Sequence, residues 1–96
     1  MRENVVRDKS KSFAIRIVRL YQYLSTDKKE FTLSRQLLRS GTSVGANVKE
    51  AIRGQSKADF TAKMSIALKE ISETEYWLEL LHETDLKAYT QIAKNC

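Results

Sequence analysis

Residues 32–53 read Thr-Leu-Ser-Arg-Gln-Leu-Leu-Arg-Ser-Gly-Thr-Ser-Val-Gly-Ala-Asn-Val-Lys-Glu-Ala-Ile-Arg. Leu33, Leu37, Gly41, Val44, Val48, Ala51 and Ile52 recur at helical steps, which predicts an amphipathic helix. Thr32 is its expected N-cap. Gly54 follows the last periodic residue and is its expected stop. Gly41 and Gly45 each cost about 1 kcal/mol against alanine within a helix, yet the periodicity runs through both. A phosphate-binding loop would end in Gly-Lys-Ser/Thr and follow a strand, and neither is present. Small residues four apart instead let two helix backbones approach closely.

The same period continues on both sides. Upstream, Phe13, Ile17, Leu20, Tyr21 and Leu24 make a stripe over residues 8–25, with Asp8 as candidate cap. The charged run Thr26–Glu30 breaks it and reads as a loop. Downstream, Phe60, Met64, Ala67, Leu68, Ile71, Leu78 and Leu81 form a stripe over residues 57–82, which places Leu68 and Ile71 in the core. Ser56 with Asp59 three residues later is a shortened capping box. Thr84 or Asp85 is placed to cap a fourth helix in which Leu86, Tyr89 and Ile92 or Ala93 are spaced helically. The expectation is an all-α, up-down-up-down antiparallel four-helix bundle, its fourth helix short, as one domain over residues 1–96.

Composition agrees. The 96 residues include no proline and three glycines, too little turn punctuation for an all-β fold. Hydrophobic residues make up 42% and charged residues 30%, which suits a globular chain. The single cysteine, Cys96, excludes a disulfide framework. No run reaches the roughly 18 apolar residues of a membrane span, and no signal peptide is visible. A cytoplasmic location, with no membrane partner, is expected. The formal net charge is +5, unevenly spread: residues 1–57 hold 13 basic and 5 acidic side chains, residues 58–96 hold 4 and 7.

Catalytic chemistry lacks its parts. Glu79 and His82 form one Glu-x-x-His, but His82 is the only histidine, and di-iron bundles use the motif twice with further inward carboxylates. No Ser–His–Asp constellation exists, and Cys96 has no evident general base. The expectation is no enzyme, no metal, no cofactor and no small-molecule substrate.

Two polar patterns remain. Gln36, Arg39, Ser43, Asn47 and Glu50 step along helix two beside its apolar stripe, and Ser72, Glu73 and Glu75 stand at a comparable level of helix three. Ser and Asn are poor choices for an exposed helix interior. Ser43, Asn47, Glu50, Ser72, Glu73 and Glu75 are therefore a candidate polar cluster between helices or subunits, against the reading of a solvated face. Arg16, Arg19, Arg35, Arg39, Lys49, Arg53 and Lys57 are candidate nucleic-acid contacts, multiplied if protomers form a ring.

Phe31–Leu37, Arg39–Ala51, Ser56–Phe60 and Ala67–Glu75 are together characteristic. The chain resembles the bacterial four helix bundle protein family, which includes proteins encoded by intervening sequences in 23S ribosomal RNA genes. It is also similar to the accessory variability determinant of diversity-generating retroelements. The resemblance spans roughly residues 8–90, and the Ser-x-x-x-Asn-x-x-Glu and Ser-Glu-x-Glu stretches are its most specific parts. It implies a homopentamer, with RNA or DNA and a reverse transcriptase as possible partners. Ala51 departs from a usual glycine, and the fourth helix is shorter than the family pattern. The leading functional expectation is a non-enzymatic, homo-oligomeric assembly module with a basic surface for nucleic acid or a nucleic-acid enzyme. The alternatives are a protein-only adaptor and a metal-binding bundle.

Overall fold

The computed structural model describes residues 2–84. They form three α-helices, α1 (Arg2–Thr26), α2 (Thr32–Ile52) and α3 (Lys57–Glu83), with no strand among the described residues. The all-α class holds, but the described architecture is three helices and not four. The expected fourth helix, with Leu86, Tyr89, Ile92 and Ala93, lies outside the described residues. Thr84 closes α3: its N–H and its hydroxyl both donate to the Leu80 carbonyl, at 2.9 and 2.6 Å.

Helix α1 starts well before Asp8. Val6, Ser10, Phe13 and Ile17 carry its stripe upstream at steps of four, three and four, with Ser10 and Ile17 buried and Val6 exposed. Asp8 sits within the helix, 3.3 Å from Arg7 Nε. Helix α2 starts as expected, but Thr32 is its first helical residue and Phe31 the capping position. Phe31 supplies no side-chain acceptor, so Glu30 does the work. Its carboxylate accepts from the N–H groups of Thr32, Leu33 and Ser34 at 3.1, 3.0 and 2.7 Å. Partial desolvation would raise the Glu30 pKa, but these backbone donors outweigh it and hold the carboxyl below its ordinary value. At the start of α3 the Ser56 side chain accepts from the Asp59 N–H at 3.1 Å, as the Ser-x-x-acid spacing predicts.

Gly54 does follow α2, but not in a left-handed conformation. A Cβ there would lie 3.1 Å from the Ala51 carbonyl oxygen and 3.2 Å from Asp59 Cβ. The tight α2–α3 connection, not a positive φ, selects glycine.

Helix α2 is the centre. It packs along both α1 and α3, while α1 and α3 touch only marginally. Leu37, Val44, Val48 and Ala51 from α2, Ile17 from α1 and Ala67 from α3 are the buried apolar residues among those described. A Cβ on Gly41 would stand 2.8 Å from both Cγ atoms of Ile17, and one on Gly45 would stand 3.4 Å from the Ser10 carbonyl. The paired glycines therefore serve close α1–α2 packing, the reading their spacing supported.

Helix α3 corrects the expected core. Ala67 and Thr74 face α2, whereas Leu68 is 62% and Ile71 36% exposed. Consecutive residues differ by about 100° around a helix. The apolar stripe of α3 is broad enough to serve two directions, and α2 claims the Ala67 edge. Leu68 and Ile71 turn to the side that faces α1.

Candidate functional site

Three surfaces follow from this arrangement. The first is an apolar trough of 430 Å³ between α1 and α3, floored by α2. Val6 and Phe13 stand on one wall, Met64, Leu68 and Ile71 on the other, and Val48 lies beneath. Lys9 is the one charged residue at its edge. Val6, Leu68 and Ile71 are all exposed, so large aliphatic side chains face water along the length of the trough. Such contiguous apolar surface marks an interaction face more often than a solvent face.

The second is a polar seam between α2 and α3. Ser40 and Thr74 are buried, with their hydroxyl oxygens 2.9 Å apart. The Arg39 guanidinium pairs with the Glu73 carboxylate and lies 3.7 Å from Glu70 Oε2. That second contact is ionic without a hydrogen bond, since Glu70 Oε2 has no donor. Lys63 and Glu50 close the upper end at 3.6 Å.

The residues expected to form the polar cluster are only partly brought together. Glu73 and Glu50 bridge helices, through Arg39 and Lys63. Ser43 and Asn47 are half-buried, but they bond to their own helix. Ser43 Oγ donates to the Arg39 carbonyl at 2.6 Å, and Asn47 Nδ2 to the Ser43 carbonyl at 2.8 Å. Ser72 and Glu75 are exposed and are not joined to the others. The residues that do form the buried bridge, Ser40 and Thr74, lay on the apolar stripes. A small hydroxyl residue at a core position was the available signal.

The third surface is basic. Arg16, Arg19, Arg35, Arg39, Lys49, Arg53 and Lys57 are all exposed. Arg39 is committed to α3, whereas the other six have no ion-pair partner among the described residues. They do not converge on one point. Arg35, Lys49 and Arg53 lie along α2, spread over about 27 Å at 1.5 Å per residue. Arg16 and Arg19 lie on α1. Glu79 and His82 are exposed, and among the described residues no group of three or more His, Cys, Asp and Glu side chains could hold a metal. No described helix is long and apolar enough to cross a membrane.

Comparisons place the chain in a family. The family model described as 23S rRNA-intervening sequence protein matches residues 2–95. A crystal structure of a protein with unknown function from the S23 ribosomal protein family of Bacteroides thetaiotaomicron VPI-5482 is 57% identical. It superposes with a TM-score of 0.87 over 96% of this chain and 85% of that one. No curated protein matches the chain. With the family model spanning nearly the whole chain and the three-helix framework shared at this identity, the chain belongs to the 23S rRNA-intervening sequence protein family.

Proposed function

We propose that this chain is a non-enzymatic, self-assembling helical module that acts by binding, with nucleic acid as its partner. One observation carries the assembly: the trough between α1 and α3, where Leu68 is 62% exposed beside Val6 and Ile71. Its occupant is a second copy of the chain. Charge complementarity supports this. The first 57 residues carry net +8, the remainder net −3. Glu75, Glu79 and Glu83 have no ion-pair partner among the described residues, and neither do Arg16, Arg19 and Lys57. A basic α1–α2 face on one copy and an acidic α3 on the next make a heterologous contact, which closes into a ring when its rotation permits. The number five rests on the family resemblance. The basic faces of a ring would be repeated in each copy, which multiplies phosphate contacts. A nucleic-acid enzyme such as a reverse transcriptase is a further partner the resemblance suggests.

Leu68→Glu tests this reading. Light scattering should show the assembled mass falling toward the 11.1 kDa of one chain while circular dichroism keeps its helical signal. A variant with lower thermal stability and unchanged mass would mean that the trough is filled within the chain, contrary to the proposal.

A further inference from the structure

On the face of α2 opposite the apolar trough, a second groove of 480 Å³ runs between α1 and α2. Its floor is made of small residues, among them Ala14, Gly45 and Ala46. Arg7 and Lys11 rise from α1 and Lys49 from α2, with Asp8 at the rim as the one acid. Arg7 leans on Asp8 at 3.3 Å, and both are well exposed. Lys11 and Lys49 have no ion-pair partner among the described residues. The lining therefore nets two positive charges over a floor of small residues.

The groove also lacks what base reading needs. It contains no aromatic ring, and single-strand binders hold bases by stacking them on aromatic side chains. Its hydroxyls are turned inward: Ser10 Oγ donates to the Arg7 carbonyl at 2.9 Å, and Thr42 Oγ1 to the Leu38 carbonyl at 2.6 Å. Base edges are read by free donors and acceptors, whereas phosphates need only cations. We propose that the α1–α2 groove is a phosphate-backbone site for a nucleic-acid duplex, held by Arg7, Lys11 and Lys49 without sequence preference. This rests on the nucleic-acid reading above and names the surface and the form of nucleic acid.

The test titrates the full chain into labelled RNA, a duplex of about 20 base pairs and a uridine single strand of equal length, at about 50 and about 200 mM salt. Two to three phosphate contacts give a salt slope of about −1.8 to −2.7, so duplex affinity should fall about 12- to 42-fold between the two salts. The double variant Lys11→Glu/Lys49→Glu should weaken duplex binding more than about tenfold at low salt. Lys28→Glu/Lys29→Glu makes the same charge change in the α1–α2 loop, away from the groove, and should stay within about threefold. Asp8→Asn should tighten binding. Circular dichroism confirms that each variant folds. Equal losses from the two double variants, or a single strand bound more than about tenfold tighter than the duplex, would overturn the groove while leaving general nucleic-acid binding intact. No binding of either RNA by the unaltered chain at low salt would overturn that broader reading, and the groove with it.

Discussion

Ser40 on α2 and Thr74 on α3 meet at 2.9 Å in the buried part of the seam between the two helices. Thr74 Oγ1 lies 2.7 Å from the Glu70 carbonyl, and Ser40 Oγ lies 3.4 Å from the Leu37 carbonyl. Each hydroxyl has one proton, and the acceptors within the two helices and across the seam use both. The bond between the two hydroxyls forms only when the helices stand in this register. A slip by one residue would lose that bond and leave each hydroxyl only the carbonyl of its own helix.

Removing both members should therefore cost less than the two single removals added together. Thr74→Val alone, or Ser40→Ala alone, should destabilise by about 0.5–1.5 kcal/mol, the usual net contribution of one hydrogen bond. The double variant should lose less than the sum, with a coupling of about 1 kcal/mol in denaturant titrations. Strict additivity would contradict the bridge.

Gly41 makes a steric prediction. A methyl at Gly41 would press on Ile17, so Gly41→Ala should cost about 1–3 kcal/mol despite the better helix propensity of alanine. Ile17→Ala removes the atoms in the way, at its own cost of about 2–5 kcal/mol. The two changes together should fall short of additive. A stabilised Gly41→Ala would show that α1 and α2 are not in close contact there.

How far the residues announced this is clear at particular places. Periodicity located α2 and α3 well because their stripes are bounded by caps and a loop. It began α1 late, because Asp8 looked like a cap while the stripe continued through Val6. It put Leu68 in the core because an isolated stripe does not say which neighbour each edge will meet. That edge is assigned only once α2 has packed on Ala67 and Thr74. The polar seam was sought among the most polar residues, Asn47 and Ser72. Burial selected the smallest ones, Ser40 and Thr74, whose hydroxyls fit between two close helices.

Glu30 gives a pH-dependent prediction. Its carboxylate serves three N–H groups at the head of α2, and its pKa is held below the ordinary 4.5. A carboxyl lowered on folding stabilises the fold above its unfolded pKa and loses that contribution as pH falls through the folded value. Glu30→Gln should thus be about 0.5–1 kcal/mol less stable at neutral pH. Thermal melts should show this gap narrowing below pH 4.5. A gap unchanged down to strongly acidic pH would mean that the charge plays no part in the cap.

Leu68 separates the two roles of α3. Because its side chain is largely exposed within one chain, Leu68→Ala should cost the isolated fold under about 0.5 kcal/mol. Ala67→Asp, by contrast, would place a charge in the core and should abolish cooperative unfolding. A loss of about 2–5 kcal/mol for Leu68→Ala, measured in dilute samples where assembly is absent, would return Leu68 to an intrachain core.

The central claim is that the trough between α1 and α3 is covered by another copy of the same chain. Static light scattering on the unaltered protein at micromolar concentration tests it most directly. The account predicts a mass several times 11.1 kDa that is independent of modest dilution, and five times that value if the ring implied by the family resemblance forms. A mass equal to one chain across the concentration range would contradict it.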